Sequence, residues 1–191
     1  MTPRENVVTR IQDEKWHHAI EYVLRHEGGF VDDPNDDGGP THYGVSLRFL
    51  KDIGMDINDD SDIDIKDVQE LTLNDVKLIY KQYWWDKYEY TRINDRLIAA
   101  KVFDLAVNMG AHMAHKILQR ACNEISEAPI ADDGILGEIT LAVVNILIEK
   151  GRREELLSEI KEEAASFYIL LVMEKPKFKR YLKGWLARVN D

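Results

Sequence analysis

The stretch from Ile93 to Val107 is apolar on most sides. A helix of that kind has no solvent face of its own, so it must lie at the centre of the fold with other elements packed around it. Further segments carry apolar residues at the three-to-four spacing of a single helix face. They fall at about 73–88, 111–125, 138–149, 153–173 and 177–189. Residues 13–27 show the same stripe in Trp16, Ala19, Ile20, Val23 and Leu24, and the stripe closes on Glu27. Asp13 suits the N-cap of that helix. Gly28-Gly29 is expected to end it, because glycine takes the left-handed conformation at little cost. Residues 30–45 are rich in Asp, Gly and Pro and read as loop or short β structure, with strand signals only near 41–47. The expected fold is mainly α, with a helical first part containing a small β/loop region and a helical C-terminal subdomain. There is no internal repeat, and Pro129 and Gly134 mark the clearest seam, at about 126–137.

The chain of 191 residues is long enough to bury a core without disulfides. Its single cysteine, Cys122, excludes an internal one. The 25 Lys and Arg against 35 Asp and Glu leave a net charge of −10, which argues against nucleic acid as the main partner. No apolar run approaches the roughly 20 residues that span a bilayer, so no stable membrane insertion is expected. The first residues lack the basic-then-apolar pattern of a signal peptide. Synthesis in the cytoplasm is therefore expected, and any action outside requires release or another export route. One stretch runs against the overall charge: Lys175, Lys177, Lys179, Arg180, Lys183 and Arg188 follow one another with no acid among them. It reads either as a solvated helix face or as a contact for an anionic polymer.

Glu27 carries the chemical argument. At the end of an apolar stripe, its carboxyl faces the core or a cleft wall rather than open water. Burial and the negative end of the helix dipole both favour its neutral form. A carboxylic acid that keeps its proton near neutral pH is what a glycosidase needs to protonate a leaving oxygen. The alternative is an ordinary solvent-facing glutamate at a helix end. The following loop offers Asp32, Asp33, Asp36 and Asp37 ahead of Gly38-Gly39 and Thr41. Glycoside hydrolysis commonly uses two carboxyl groups across the scissile bond. Turn aspartates also have a purely structural use, bonding nearby amides.

The run His26-Glu27-Gly28-Gly29-Phe30-Val31, then Asp33-Pro34-Asn35-Asp36-Asp37-Gly38-Gly39-Pro40-Thr41-His42-Tyr43-Gly44-Val45, resembles glycoside hydrolase family 108. That family includes phage endolysins and bacterial muramidases, some once called secretion activators. The resemblance extends through Tyr80–Trp85 and Phe103–Gly110. Beyond these, Leu118-Gln119, Asp133–Gly137 with Thr140, and Gly184–Val189 look like the predicted peptidoglycan-binding region of these proteins. It implies a lysozyme-like catalytic domain over 13–110, with a helical peptidoglycan-binding subdomain over 111–191 packed against it. It also implies cleavage of the bond between N-acetylmuramic acid and N-acetylglucosamine in peptidoglycan glycan strands. The family's catalytic glutamate falls on Glu27, its second acid on Asp36 and its threonine on Thr41. By analogy with phage lysozymes, Asp36 and Thr41 orient or activate water, with Asp33 and Asp37 as competitors for Asp36. Pro40 and Ala187 depart from the family's expected polar residues.

Tyr43, Trp84, Trp85, Asp104 and Asn108 are candidates for the saccharide cleft, since aromatic faces, amides and carboxylates bind sugars. Trp84 and Trp85 are adjacent and cannot share a helix face, so one of them belongs to the core. Asn108 serves equally as a C-cap, and Gln119 reads as a structural hydrogen-bonder. The loop Asp56–Asp67 resembles a calcium loop, with oxygen ligands at positions 1, 3, 5, 9 and 12. Ser61 stands where that loop wants glycine, and Asp67 is shorter than the usual glutamate. A solvated acidic loop capping the next helix is the alternative, and no metal is expected in the chemistry. His112 and His115 lack the partners of a zinc site and read as structural or surface residues. The competing functions are a non-catalytic peptidoglycan-binding or secretion-assisting module, and a hydrolase of chitin-like chains.

Overall fold

The structure, a computed structural model, describes residues 3–32 and 39–191. It is mainly α, built around α5 (Arg96–Met109). Every residue from Ile98 to Ala106 in that helix is buried, as its all-round apolar pattern requires. Each large apolar side chain buried there contributes about 1.5–3 kcal/mol relative to exposure. Asp95 caps the N-terminus of α5 by accepting from the amides of Leu97 and Ile98. Gly110, at φ +91°, ends it and lets α6 (Ala111–Ile125) start at once in a new direction.

α1 (Pro3–His26) lies along α5 and buries the expected face, with Trp16, Ala19, Ile20 and Val23 inside. Two expectations about this helix need correction. It begins well before Asp13, which lies inside it and not at its cap. It also ends at His26, and Gly28 and Gly29 are not in the left-handed region. The Glu27 amide still bonds to the Val23 carbonyl at 3.2 Å, so Glu27 keeps its place one turn above the apolar stripe.

The small β region is one antiparallel hairpin, β1 (Thr41–His42) and β2 (Val45–Ser46), within the range where strand signals occur. Two short helices not anticipated from the pattern follow it, α2 (Leu47–Ile53) and α3 (Ile65–Glu70). α4 (Leu73–Tyr80) opens with a capping box between Thr72 and Asp75 and runs on into a π-helical turn over Lys81–Asp86. Of the adjacent tryptophans there, Trp85 is the core residue, 1% exposed, against Trp16 and Phe103.

The second half is helical too: α6, α7 (Glu138–Glu149), α8 (Arg153–Glu174) and α9 (Lys179–Asn190). α8 and α9 form a hairpin through the 3-10 turn Pro176–Phe178. One continuous apolar cluster runs from Trp16 in α1 to Val189 in α9, so the two halves share a core. The expected seam at 126–137 is in fact tied to α6. Gln119 accepts from the Gly134 amide and donates to Asp133, the Ile135 carbonyl and Thr140, the structural role read for it. His115 faces the Gly134 carbonyl with Nδ1 and the Tyr90 hydroxyl with Nε2. A carbonyl only accepts, so Nδ1 carries the proton and Nε2 receives the one from Tyr90.

Burial pushes the His115 imidazole down to about 4. The unfolded chain takes up this proton below about 6.5 and the folded chain does not. Stability is therefore full above pH 6.5 and falls as pH drops toward 4, by an expected loss on the order of 3 kcal/mol from this residue. Denaturant unfolding between pH 7 and 4 should show a shallower loss for His115→Gln than for the wild type.

Candidate active site

Glu27 emerges from the end of α1 beneath the hairpin. The hairpin turn is Tyr43-Gly44, both at positive φ, 49° and 80°. Two residues of that kind match a type I′ turn, whose twist suits a tight hairpin. The turn is pinned on two sides: the Tyr43 amide donates to the Gly28 carbonyl at 3.1 Å, and the Tyr80 hydroxyl donates to the Tyr43 carbonyl at 3.1 Å. Gly44 is then pressed so close to the acid that a Cβ there would stand 2.5 Å from Glu27 Oε2 and 2.3 Å from the Tyr80 hydroxyl. Burial pushes the Tyr80 phenol well up, and the Glu27 charge adds to this, so Tyr80 stays a neutral donor.

The other side of Glu27 is closed by Arg188 from α9. Its Nη2 lies 2.9 Å from Glu27 Oε1 and 2.8 Å from Asp104 Oδ1, and its Nε donates to the same Asp104 oxygen at 2.9 Å. Asp104 is completely buried, while Glu27 and Arg188 are 14% and 12% exposed. Burial works against the Arg188 charge, but Asp104 and Glu27 outweigh it and hold the guanidinium more firmly protonated than usual. The end of α9 is fixed in turn by Lys101 of α5. Its ammonium donates to the carbonyls of Arg188 and Val189, both at 3.1 Å, and to the Tyr22 hydroxyl. A cation at those carbonyls also meets the negative end of the α9 dipole. Burial lowers the Lys101 ammonium to about 8 despite the help of Asp104.

Beside this cluster an open cleft of about 350 Å³ is lined by His26, Asn108, Arg180, Tyr181, Gly184, Trp185 and Arg188. Asn108 therefore reaches the cleft, and it donates to the Tyr168 hydroxyl at 2.8 Å. Trp185 stacks on Tyr168 with ring centroids 4.8 Å apart.

The expected site residues separate into groups. Glu27 pairs with Arg188, and Asn108 lines the cleft to which Arg188 also contributes. Tyr43 forms the turn over Glu27 and stacks on His42 at 4.1 Å. Thr41 opens the hairpin, its hydroxyl donating to the Gly39 carbonyl at 3.1 Å. Trp84 is half-buried against Phe49 and Tyr80. Asp104 needs correction: with no exposed surface it cannot meet a sugar, and it anchors Arg188 instead. Asp36, with Asp33 and Asp37, lies outside the described residues; its flanks are joined by the paired backbones of Val31 and Thr41.

The acidic loop 56–67 turns its oxygens inward on its own amides. Asp56 accepts from Ser61, Asn58 from Asp60, and Asp67 from both Ile57 and Asp64. Asp67 is buried; burial alone would raise its carboxyl, but these amides hold it below its usual value. Among the described residues no three His, Cys, Asp or Glu side chains converge to hold a metal ion.

Arg188, Lys101 and Trp185 were not singled out for the site by sequence. Arg188 sat in the basic stretch, yet it parts company with the others: Lys175, Lys177, Lys179, Arg180 and Lys183 are exposed. A signal was present in Lys101 and Asp104, two charges inside an all-round apolar helix, since buried charges require partners.

Residues 20–110 match the family described as Glycosyl hydrolase 108. That segment is a glycoside hydrolase family 108 domain. Residues 113–190 match the family described as Predicted Peptidoglycan domain. These two matches identify a glycosidase domain and peptidoglycan as the partner polymer. A solved structure described as "Structure of Brucella abortus SagA" is similar over 93% of this chain and 91% of its own, at 24% identity and a TM-score of 0.71. That likeness bears on the fold, which is the lysozyme-like, mainly α architecture expected. No curated protein matches. Among the described residues no helix is long and apolar enough to cross a membrane.

Arg188 is the compensating charge for buried Asp104, so its loss strands that carboxylate. Arg188→Leu is expected to lower the unfolding free energy by about 3–5 kcal/mol. Adding Asp104→Asn should recover part of the loss. Urea titrations of the three proteins check both statements.

Proposed function

We propose that the chain is an N-acetylmuramidase that hydrolyses the bond between N-acetylmuramic acid and N-acetylglucosamine, with Glu27 as general acid. The observation that carries this reading is the enclosure of Glu27 beside an open cleft, between the Gly44 turn and Arg188. Glu27 passes its proton to the bridging oxygen as the bond from that oxygen to C1 breaks. The charge left on Glu27 is met by Arg188, which stabilises the acid in its spent form. The sugar passes through an oxocarbenium-like state, and water adds to C1, returning a proton to solvent or to a base. Asp36 and Thr41 are assigned to that water. Support for Thr41 comes from its place at the start of the hairpin whose turn abuts Glu27. The protein is made in the cytoplasm and acts on the wall after release or non-classical export.

The Arg188 ion pair also favours a second reading, in which Glu27 is a structural partner of Arg188 in a module that binds the wall without cutting it. Fragments released from purified peptidoglycan, reduced with borohydride and analysed by mass spectrometry, separate the two. Wild type should yield reducing N-acetylmuramic acid ends. Glu27→Gln, checked for folding by circular dichroism, should cut the rate by about 10²–10⁴-fold. Undiminished release by a folded Glu27→Gln protein would remove Glu27 from the chemistry. Reducing N-acetylglucosamine ends would reassign the bond, and no release by wild type would favour the binding module.

Gly44 offers an independent check. A methyl group at this position collides with the carboxyl of Glu27 and the hydroxyl of Tyr80. Gly44→Ala should therefore lower hydrolysis at least tenfold while wall binding in pull-down assays persists.

A further inference from the structure

The cleft on α9 holds features that neither the acid nor the core requires. Arg180 has an exposed guanidinium that lies over the Tyr181 ring at 4.6 Å and bonds its hydroxyl. Among the described residues no carboxylate pairs with it, whereas Arg188 in the same cleft is taken up by Glu27 and Asp104. Tyr181 is 40% exposed and extends the Trp185–Tyr168 stack to the surface, at 5.6 Å from Trp185. Between these groups lies Gly184, inside the helix and exposed. Glycine in a helix interior costs about 1 kcal/mol relative to alanine. Packing does not call for it, because a Cβ at 184 would have no atom within 4 Å. What glycine leaves at this position is bare backbone facing the cleft.

The arrangement combines three features that suit a sugar bearing a negative charge. An exposed aromatic ring offers a flat apolar face, bare backbone admits a ring closely, and a guanidinium pairs a carboxylate in bidentate fashion. Arg180 and Arg188 are eight residues apart on one helix, so about 12 Å separates them along its axis at 1.5 Å per residue. Arg180 is therefore remote from the Arg188–Glu27 pair but lines the same cleft as Arg188.

We infer that this cleft is a subsite for a carboxylate-bearing N-acetylated sugar, with Arg180 pairing the carboxylate, Tyr181 stacking on the ring and Gly184 making room for it. The inference rests on peptidoglycan being the substrate and deepens that reading, because it makes α9 the element that tells wall glycan from uncharged chitin-like chains. The carboxylate has two sources in that polymer, the lactyl group of N-acetylmuramic acid and the stem peptide attached to it.

The test is a binding titration, by NMR or calorimetry, of the full chain with three small ligands. They are N,N′-diacetylchitobiose, the disaccharide N-acetylglucosaminyl-N-acetylmuramic acid with its lactyl carboxylate free, and the same disaccharide carrying its stem tetrapeptide. At least one charged ligand should bind about tenfold or more tightly than chitobiose. If the lactyl group is the partner, the peptide-free disaccharide shows the preference; if the stem peptide is, only the third ligand does. Arg180→Ala should abolish the preference, and Arg180→Lys should keep part of it. Gly184→Ala should weaken the charged ligand's binding while raising the melting temperature, a combination that a purely structural glycine would not give. Equal binding of all three ligands, no binding of any, or a preference that survives Arg180→Ala would overturn the inference. These measurements require no turnover. A preference without hydrolysis leaves the subsite standing and removes the catalytic reading, and hydrolysis without a preference does the reverse.

Discussion

Arg188 is the interaction on which the rest of the site depends. It comes from the last helix, and its two carboxylate partners come from the end of the first helix and the middle of the central one. Two carboxyl groups, Asp104 wholly buried and Glu27 mostly so, are held side by side, and a buried carboxylate is not tolerable in a low-dielectric interior without compensation. One guanidinium between them converts that problem into a junction of α1, α5 and α9. Lys101 supports the same junction from below by holding the carbonyls at the end of α9. The acid's position is thus decided by a residue 161 positions away in the chain.

This junction changes how the C-terminal half is to be viewed. The two family matches divide the chain after residue 110, but the apolar cluster does not stop there. α6 and α8 pack with α5, α9 folds back over α8, and α9 contributes one wall of the cleft. A segment matched as a peptidoglycan domain therefore takes part in building the environment of Glu27. In the proposed reading, binding and cutting share one surface, which gives a physical route for the C-terminal half to influence which glycan is held near Glu27.

The hairpin supplies the opposite constraint. Its turn is held by a carbonyl next to the acid and by a tyrosine hydroxyl from α4, so three parts of the chain converge on one backbone position. Only a residue without a side chain fits between them. Tyr43 accepts the left-handed conformation, which is unfavourable for a residue with a Cβ, to make this approach possible. The strain lies beside the acid, where it sets the distance between backbone and carboxyl.

Sequence alone determined the helical class, most element boundaries in the second half, the central place of α5 and the place of Glu27 just beyond the apolar stripe of α1. These follow from local rules: the 3.6-residue period records which face is buried, and the motif around Glu27 is contiguous enough to be recognised. It also showed that one of Trp84 and Trp85 had to be core, without showing that it was Trp85. It misjudged the start of α1 and the backbone of Gly28-Gly29, because a helix end is settled by what packs against it as much as by its residues. It sent Asp104 to the substrate and left Arg188 among solvated cations. Only the tertiary structure decided those two, since whether a charge lies buried depends on the partner that meets it. Here the partners are Glu27, Asp104 and Arg188, and chain folding alone brings them within 3 Å.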